Sequence, residues 1–276
     1  EDHIVESIQA LFPDEPLQER SVEFTYKPSE YVKISDGCSR HCAFCTIPFI
    51  RGPYHSFTYE SIRQEVATKV SGGAQEIVLI AQDSGIWGLD LKPRESLASL
   101  LEHLAIEFPL TWFRVMYLQP AGITDELIQV MATHENICSY LDIPLQHCDP
   151  VILKSMNRTG SREEFLNLVE RLRSEVPGIA LRTTLIVGYP GETDDQFDTL
   201  CSFVEDAEFD YVGVFAYSPE EGTVAAALPN QIDDDTKQER LQAIRDIADA
   251  VSAQKISERI GSPCDVLVLG EEEDGQ

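Results

Sequence analysis

The chain has 276 residues, and 48 acidic against 21 basic side chains give it a formal charge of −27. An apolar content of 43% is that of a chain folding around a core, which excludes an intrinsically disordered protein. The longest apolar runs fall far short of the roughly 20 residues of a membrane span, and the scattered Lys and Arg make no basic patch, so neither a membrane nor direct DNA binding is expected.

In chain order, residues 1–29 are acidic, hold three prolines and contain no cysteine. They read as the remnant of a preceding domain and a linker, and a first residue other than Met reads as the middle of a longer protein. Six β-rich runs follow: Tyr31–Ser35, Glu76–Ala81, Thr111–Leu118, Ser139–Leu145, Leu181–Gly188 and Tyr211–Ser218. Several are apolar on both faces, as strands covered on both sides of a parallel sheet are. Helical patterns fill the gaps at Thr58–Val70, Leu97–Phe108, Thr124–Thr133, from Ser161 to Val176, Thr193–Ala207 and about Asp234 to Ile260. Their starts carry Thr or Ser caps; Ser161 and Glu164 read as a capping box.

Six strand–helix alternations predict a parallel α/β architecture, closed as a barrel or open and doubly wound. The first strand–helix turn carries cysteines where a dinucleotide-binding sheet carries its glycine fingerprint. The expected fold is therefore an incomplete (β/α)6 barrel of TIM-like type over residues 30–255. Residues 256–276 read as the start of a C-terminal β-domain, with a short strand Cys264–Leu269 and an acidic tail.

Seven cysteines, an odd number, argue against a disulfide framework and for a reducing cytoplasm. No secretory signal opens the chain. Three cysteines, Cys38, Cys42 and Cys45, stand within eight residues just after the first strand. In a parallel barrel that loop lies at the mouth, where active sites sit. Thiolates at this density indicate zinc or an iron–sulfur cluster. Zinc needs a fourth ligand, for which only His41 and His55 are near, at unusual spacings. Three thiolates on a four-iron cluster leave one iron open to bind a small molecule. A zinc-stabilised binding module and chance core thiols are the alternatives.

The CxxxCxxC motif, with Phe44 before its last cysteine, resembles the radical S-adenosylmethionine (SAM) superfamily. YVKISDGC (31–38), IVLIAQD (77–83), RVMYLQP (114–120), DIPLQH (142–147), KSMNR (154–158), LRTTLIVGYPGET (181–193) and FAYSPEEGT (215–223) resemble the methylthiotransferases within it. VMYL and YSPEEGT look most like the branch that modifies an aspartate β-carbon of a small-subunit ribosomal protein. The branch that modifies a tRNA adenosine is the alternative.

The resemblance implies a 4Fe-4S cluster on Cys38, Cys42 and Cys45, with SAM as radical source and methyl donor. It implies a second 4Fe-4S cluster in an N-terminal domain, a TRAM-like C-terminal domain and a reductant that donates electrons. For SAM it implies Phe44 beside the adenine, Ala81, Gln82 and Asp83 at the amino group, and Arg182 at the carboxylate. Gly188, with Gly191, would allow close backbone approach; Gln146 would contact ribose or substrate, and Tyr217 would face the cavity. His147 ends the same strand as Gln146 and could contact the same groups, although a lone His is more often structural. Cys148 stands where the family often has Gly, which leaves either a fourth thiol near the mouth or a buried neutral one. Gln119 stands where His is common. Cys138, Cys201 and Cys264 read as core thiols. The acidic surface suits a basic protein substrate better than RNA.

Overall fold

The structure, a computed structural model, describes residues 27–270. Its strands are β1 (Ser29–Lys33), β2 (Ser35–Asp36), β3 (His55–Ser56), β4 (Glu76–Ile80), β5 (Trp112–Val115), β6 (Tyr140–Gln146), β7 (Ala180–Val187) and β8 (Tyr211–Ala216). Its helices are α1 (Ile47–Arg51), α2 (Tyr59–Ser71), α3 (Leu97–Glu107), α4 (Asp125–Thr133), α5 (Pro150–Ser155), α6 (Arg162–Glu175), α7 (Asp194–Ala207) and α8 (Asp234–Arg259).

Six strands run parallel in two groups, β1-β4-β5 and β6-β7-β8. The groups meet where the Phe113 N–H donates to Asn136 O and the Cys138 N–H to Phe113 O, both at 2.8 Å, and where the Leu118 N–H reaches Asp142 O at 2.9 Å. Each long strand is followed by helix, so the expected six-unit partial barrel is the fold. Strand period sorts its layers. In β7, Leu181, Thr183, Leu185 and Val187 are buried, while Arg182, Thr184 and Ile186 face the partly open interior. The helix-side residues, with Ile77 and Leu79 of β4 and Leu100, Leu104 and Phe203 of the helices, form one continuous core.

The caps explain where the helices start. Thr58, Ser96, Thr124, Ser161, Thr193 and Asp233 each accept the N–H three residues on. A reciprocal capping box is completed at Ser96–Ser99 and Thr193–Gln196, whereas Ser161 makes only its own half of the expected pair with Glu164. Two short helices escaped the periodicity reading. In α5 the Asp149 carboxylate accepts from the Val151 and Ile152 N–H groups ahead of Pro150, a cap legible as Asp-Pro. Helix α1 buries no residue fully, so it has no apolar stripe to detect.

The expected strand Cys264–Leu269 is not formed: residues 262–270 have no regular structure and are almost all exposed. A strand without a neighbour leaves its ladder groups unpaired and gains nothing from extension. Most of the expected N-terminal remnant lies outside the described residues. Among the described residues, no helix is long and apolar enough to cross a membrane.

Candidate active site

The C-terminal ends of the strands gather the sequence-predicted residues. Beyond β2 the chain leaves on a loop that returns through β3, and the antiparallel pairs Ser35–Ser56 and Asp36–His55 clasp its base. Gly37 opens the loop at φ +70°, and a side chain there would collide with the Gly52 and Pro53 carbonyls. Cys38 donates its N–H to Gly52 O at 3.1 Å, and Cys45 donates to Cys42 O at 3.1 Å, tightening the second half of the motif into a turn.

Cys38, Cys42 and Cys45 are free thiols, each half-buried. Burial pushes the Cys38 and Cys45 thiols up, and the nearby Cys42 adds to both; Cys38 also feels Asp83 and Cys45. The three sulfurs are thus within electrostatic reach of one another. Among the described residues, no three His, Cys, Asp or Glu side chains converge as they would around a single metal ion. An iron–sulfur cluster, a far bulkier group, holds its thiolates further apart, and an unpaired three-thiol set suits it. Beside Cys42 and Cys45 lies a mostly apolar cavity of about 300 Å³, lined by His41, Pro48, Phe49, Thr223 and Val224. Larger hollows of about 690 and 600 Å³ sit on the outer helical layer and gather none of the predicted site residues.

The neighbouring strand end supplies charge. Asp83 follows β4 and is fully buried. Its Oδ2 accepts from Arg40 Nε at 2.5 Å, while its Oδ1 has no hydrogen-bond partner among the described residues. Burial raises the Asp83 pKa, opposed by Arg40 and Arg158. Ala81 is buried at the same strand end and Gln82 is exposed. Phe44 is partly buried against a small cluster under the loop that includes Ala43, Met156, Tyr189 and Tyr217. Tyr217 packs edge-to-face on Tyr189 at 5.3 Å, and its buried hydroxyl also lacks a partner among the described residues.

Two other predicted positions shape the rim. Gln146 ends β6 at φ +74° and is buried. Gly188, at φ +69°, donates its N–H to Glu192 Oε2 at 2.5 Å, and a side chain there would run into Lys237. Glu192 is a buried hub that also meets His147 Nε2 at 3.1 Å and accepts from Arg240 Nη1 at 2.8 Å. His147 Nδ1 accepts the Asp149 N–H, so the ring proton sits on Nε2 and faces Glu192. His147 thus braces Glu192 beneath the rim. Cys148 is fully buried and turned toward Thr199 O of α7 at 3.8 Å; its thiol is pushed up to about 12 by burial. It is a core thiol rather than a fourth ligand at the mouth.

Arg182 is the residue the structure places elsewhere. It lies six positions before Gly188, about 20 Å down the strand. There its Nη1 pairs with the buried Asp142 at 2.7 Å, and its guanidinium stacks 5.4 Å from the Tyr211 ring. In this position the guanidinium serves the barrel floor, and the expected contact with a SAM carboxylate would need it to leave Asp142. Sequence reasoning missed the two arginines that do stand at the thiols, Arg40 and Arg158. Arg40 sits inside the cysteine motif itself, which was a usable signal. Arg158 is more than a hundred residues from the motif and has no local signal beyond its place in KSMNR.

Residues 32–204 match the radical SAM superfamily. The ribosomal protein uS12 methylthiotransferase RimO of Clostridioides difficile is 46% identical over 244 residues, 88% of this chain and 55% of that protein. RimO of Natranaerobius thermophilus is 45% identical over 241 residues, 87% of this chain and 54% of that protein. The chain thus spans just over half the length of these curated relatives. Among solved structures, the radical SAM methyltransferase TsrM of Kitasatospora setae, with cobalamin and a [4Fe-4S] cluster, superposes with a TM-score of 0.56 at 17% identity, covering 67% of this chain and 36% of that one. Methylornithine synthase PylB gives 0.52 at 13% identity, covering 80% and 62%. These structures share the fold.

Proposed function

The chain belongs to the radical SAM superfamily, and we propose that it is the catalytic core of an enzyme that methylthiolates an aspartate β-carbon of the small-subunit ribosomal protein uS12. The observation that carries this reading is three free thiols within electrostatic reach of one another at the strand ends of a partial barrel, beside a buried carboxylate with one open oxygen. The relatives at 45–46% identity support the choice of substrate. A charge of −27 suits a basic partner and agrees with that choice. Residues 1–29 and 256–276 are read as joints to flanking domains, with a second 4Fe-4S cluster in the N-terminal one. The setting is cytoplasmic, with a one-electron donor as partner.

Cys38, Cys42 and Cys45 would hold a 4Fe-4S cluster, and the residues around them would hold SAM. When bound, this pair supplies a one-electron cleavage of the SAM sulfonium and so the means to break an unactivated C–H bond. The chain positions and encloses. Asp83 offers its open Oδ1 to the SAM ammonium, while Arg40 fixes its other oxygen and so its direction. The backbone at Ala81 and Gln82 borders the same group. Phe44 would flank the adenine, Gln146 and Gly188 would border the ribose, and Tyr217 would back the pocket. Pro48, Phe49 and Val224 line an apolar cavity beside Cys42 and Cys45.

The test is mass spectrometry of uS12 after incubation with the full-length protein, SAM and a reductant. One methylthio group on an aspartate is expected. An unmodified uS12, or a methylthiolated adenosine in tRNA instead, would contradict the assignment.

A further inference from the structure

Three consecutive residues after α5 fasten three consecutive residues of the cysteine loop. Met156 O accepts the Ala43 N–H at 2.9 Å. Asn157 Nδ2 donates to His41 O at 2.7 Å. Arg158 Nη1 reaches Cys42 Sγ at 3.9 Å, and its Nη2 donates to Pro144 O at 2.6 Å. The first two contacts hold backbone. The third touches a sulfur.

The anchor for Arg158 is built into β6. Pro144 has no N–H to give to the ladder, and the pairing with β7 slips between Ile143 and Gln146. The Thr183 hydroxyl repairs the gap, donating to Ile143 O at 2.8 Å and accepting the Leu145 N–H at 3.4 Å. The slip leaves the Pro144 carbonyl to grip the guanidinium, whose planar fork then aims a second nitrogen at Cys42.

Among the described residues, Arg158 has no carboxylate within ion-pair distance. A half-buried cation whose nearest carboxylate is already taken is poorly compensated. Asp83 is within electrostatic reach but is already held by Arg40. A cluster carried on three thiolates would supply the missing negative charge.

We propose that Arg158 is a positioning residue that sets the reduction potential of the cluster through its N–H bond to the Cys42 sulfur. The inference rests on the assignment of Cys38, Cys42 and Cys45 as cluster ligands. Reduction adds one electron, drawn from an external one-electron donor, to a site that already carries negative charge. A nearby cation and an N–H···S bond favour that reduced state, and hydrogen bonds to ligand sulfurs are among the levers that tune such clusters. Without Arg158 the cluster becomes harder to reduce.

The experiment is a dithionite titration of the anaerobically reconstituted chain, followed by electron paramagnetic resonance, with iron counted in each sample. Arg158→Gln should keep its iron and shift the equilibrium about tenfold toward the oxidised cluster, about 59 mV lower for one electron. Asn157→Ala removes a strap and leaves the cation, so its potential should stay at the unmodified value. An Arg158→Gln variant with unaltered potential would overturn the proposal, as would an Asn157→Ala shift of equal size. Should Arg158→Gln fail to take up iron, Arg158→Lys decides: it keeps the charge but cannot span Pro144 and Cys42. A lowered potential supports the proposal and an unaltered one overturns it. Iron missing from the unmodified chain would instead overturn the cluster assignment beneath it, a result distinguishable from all of these.

Discussion

The floor and the mouth of the barrel interior use the same residue types to different ends. At the floor, Glu76 accepts from the Ser29 hydroxyl at 2.6 Å and from Arg114 Nε at 2.8 Å. Arg114 stacks 4.9 Å from the Tyr140 ring, and beyond it Asp142 pairs with Arg182, which stacks on Tyr211. Arginine and carboxylate are matched there, and each cation lies against an aromatic face. One atom is spare, Asp142 Oδ1. At the mouth the matching is incomplete: three thiols are free, Asp83 has an open oxygen, and Arg158 faces a sulfur. A polar belt that closes on itself holds strands together, whereas one left open is ready for a ligand.

Cutting the mouth should leave a folded barrel that has lost its metal. Cys42→Ala is expected to reduce iron in the reconstituted chain to near background while circular dichroism and melting stay close to those of the unmodified chain. Iron retained in that variant would contradict the cluster assignment, and a collapsed fold would erase the contrast between the two regions.

Cutting the floor should do the reverse. Arg182→Ala leaves Asp142 buried without its cation, at a cost of about 3–5 kcal/mol in denaturant unfolding. Iron content and SAM affinity should be unchanged. A weakened SAM affinity would return Arg182 to the binding role its sequence position suggests.

A milder change at the mouth is Asp83→Asn, which keeps shape and removes charge. A charge-assisted hydrogen bond contributes about 1.5–3 kcal/mol, so SAM binding by calorimetry should weaken roughly ten- to a hundredfold. Unaltered affinity would mean that the open Oδ1 is not aimed at the ligand.

The smallest effect belongs to the core thiol Cys148, whose pKa is raised by burial from 9.0 to about 12. A raised folded-state value means that its contribution to stability is complete below pH 9 and is lost as pH climbs from 9 toward 12. The loss should reach about 1.4 kcal/mol by pH 10, and Cys148→Ala should remove that part of the alkaline slope. Iron uptake should be indifferent to the substitution; a dependence would place Cys148 at the mouth after all.

The floor and the mouth also differ in how they could be read. The six strands and their helices were legible because burial on both faces and capping chemistry are local. Cys38, Cys42 and Cys45 were legible for the same reason, being packed into eight residues. Asp83 was visible as the end of a strand. Arg182 was ambiguous because an arginine in an apolar strand looks alike whether it faces a ligand or a carboxylate on the next strand, and Asp142 is 40 residues away. Arg158 was missed because its role depends on the slip that Pro144 causes in β6, a tertiary consequence with no mark on its own segment. The expected strand at Cys264–Leu269 failed because its composition suits a sheet but no neighbour pairs with it.

The most direct test of the central claim is metal analysis of the anaerobically reconstituted chain combined with electron paramagnetic resonance before and after SAM. About four irons per chain and a reduced-cluster signal that SAM alters are expected. One zinc per chain, or an iron signal indifferent to SAM, would contradict it.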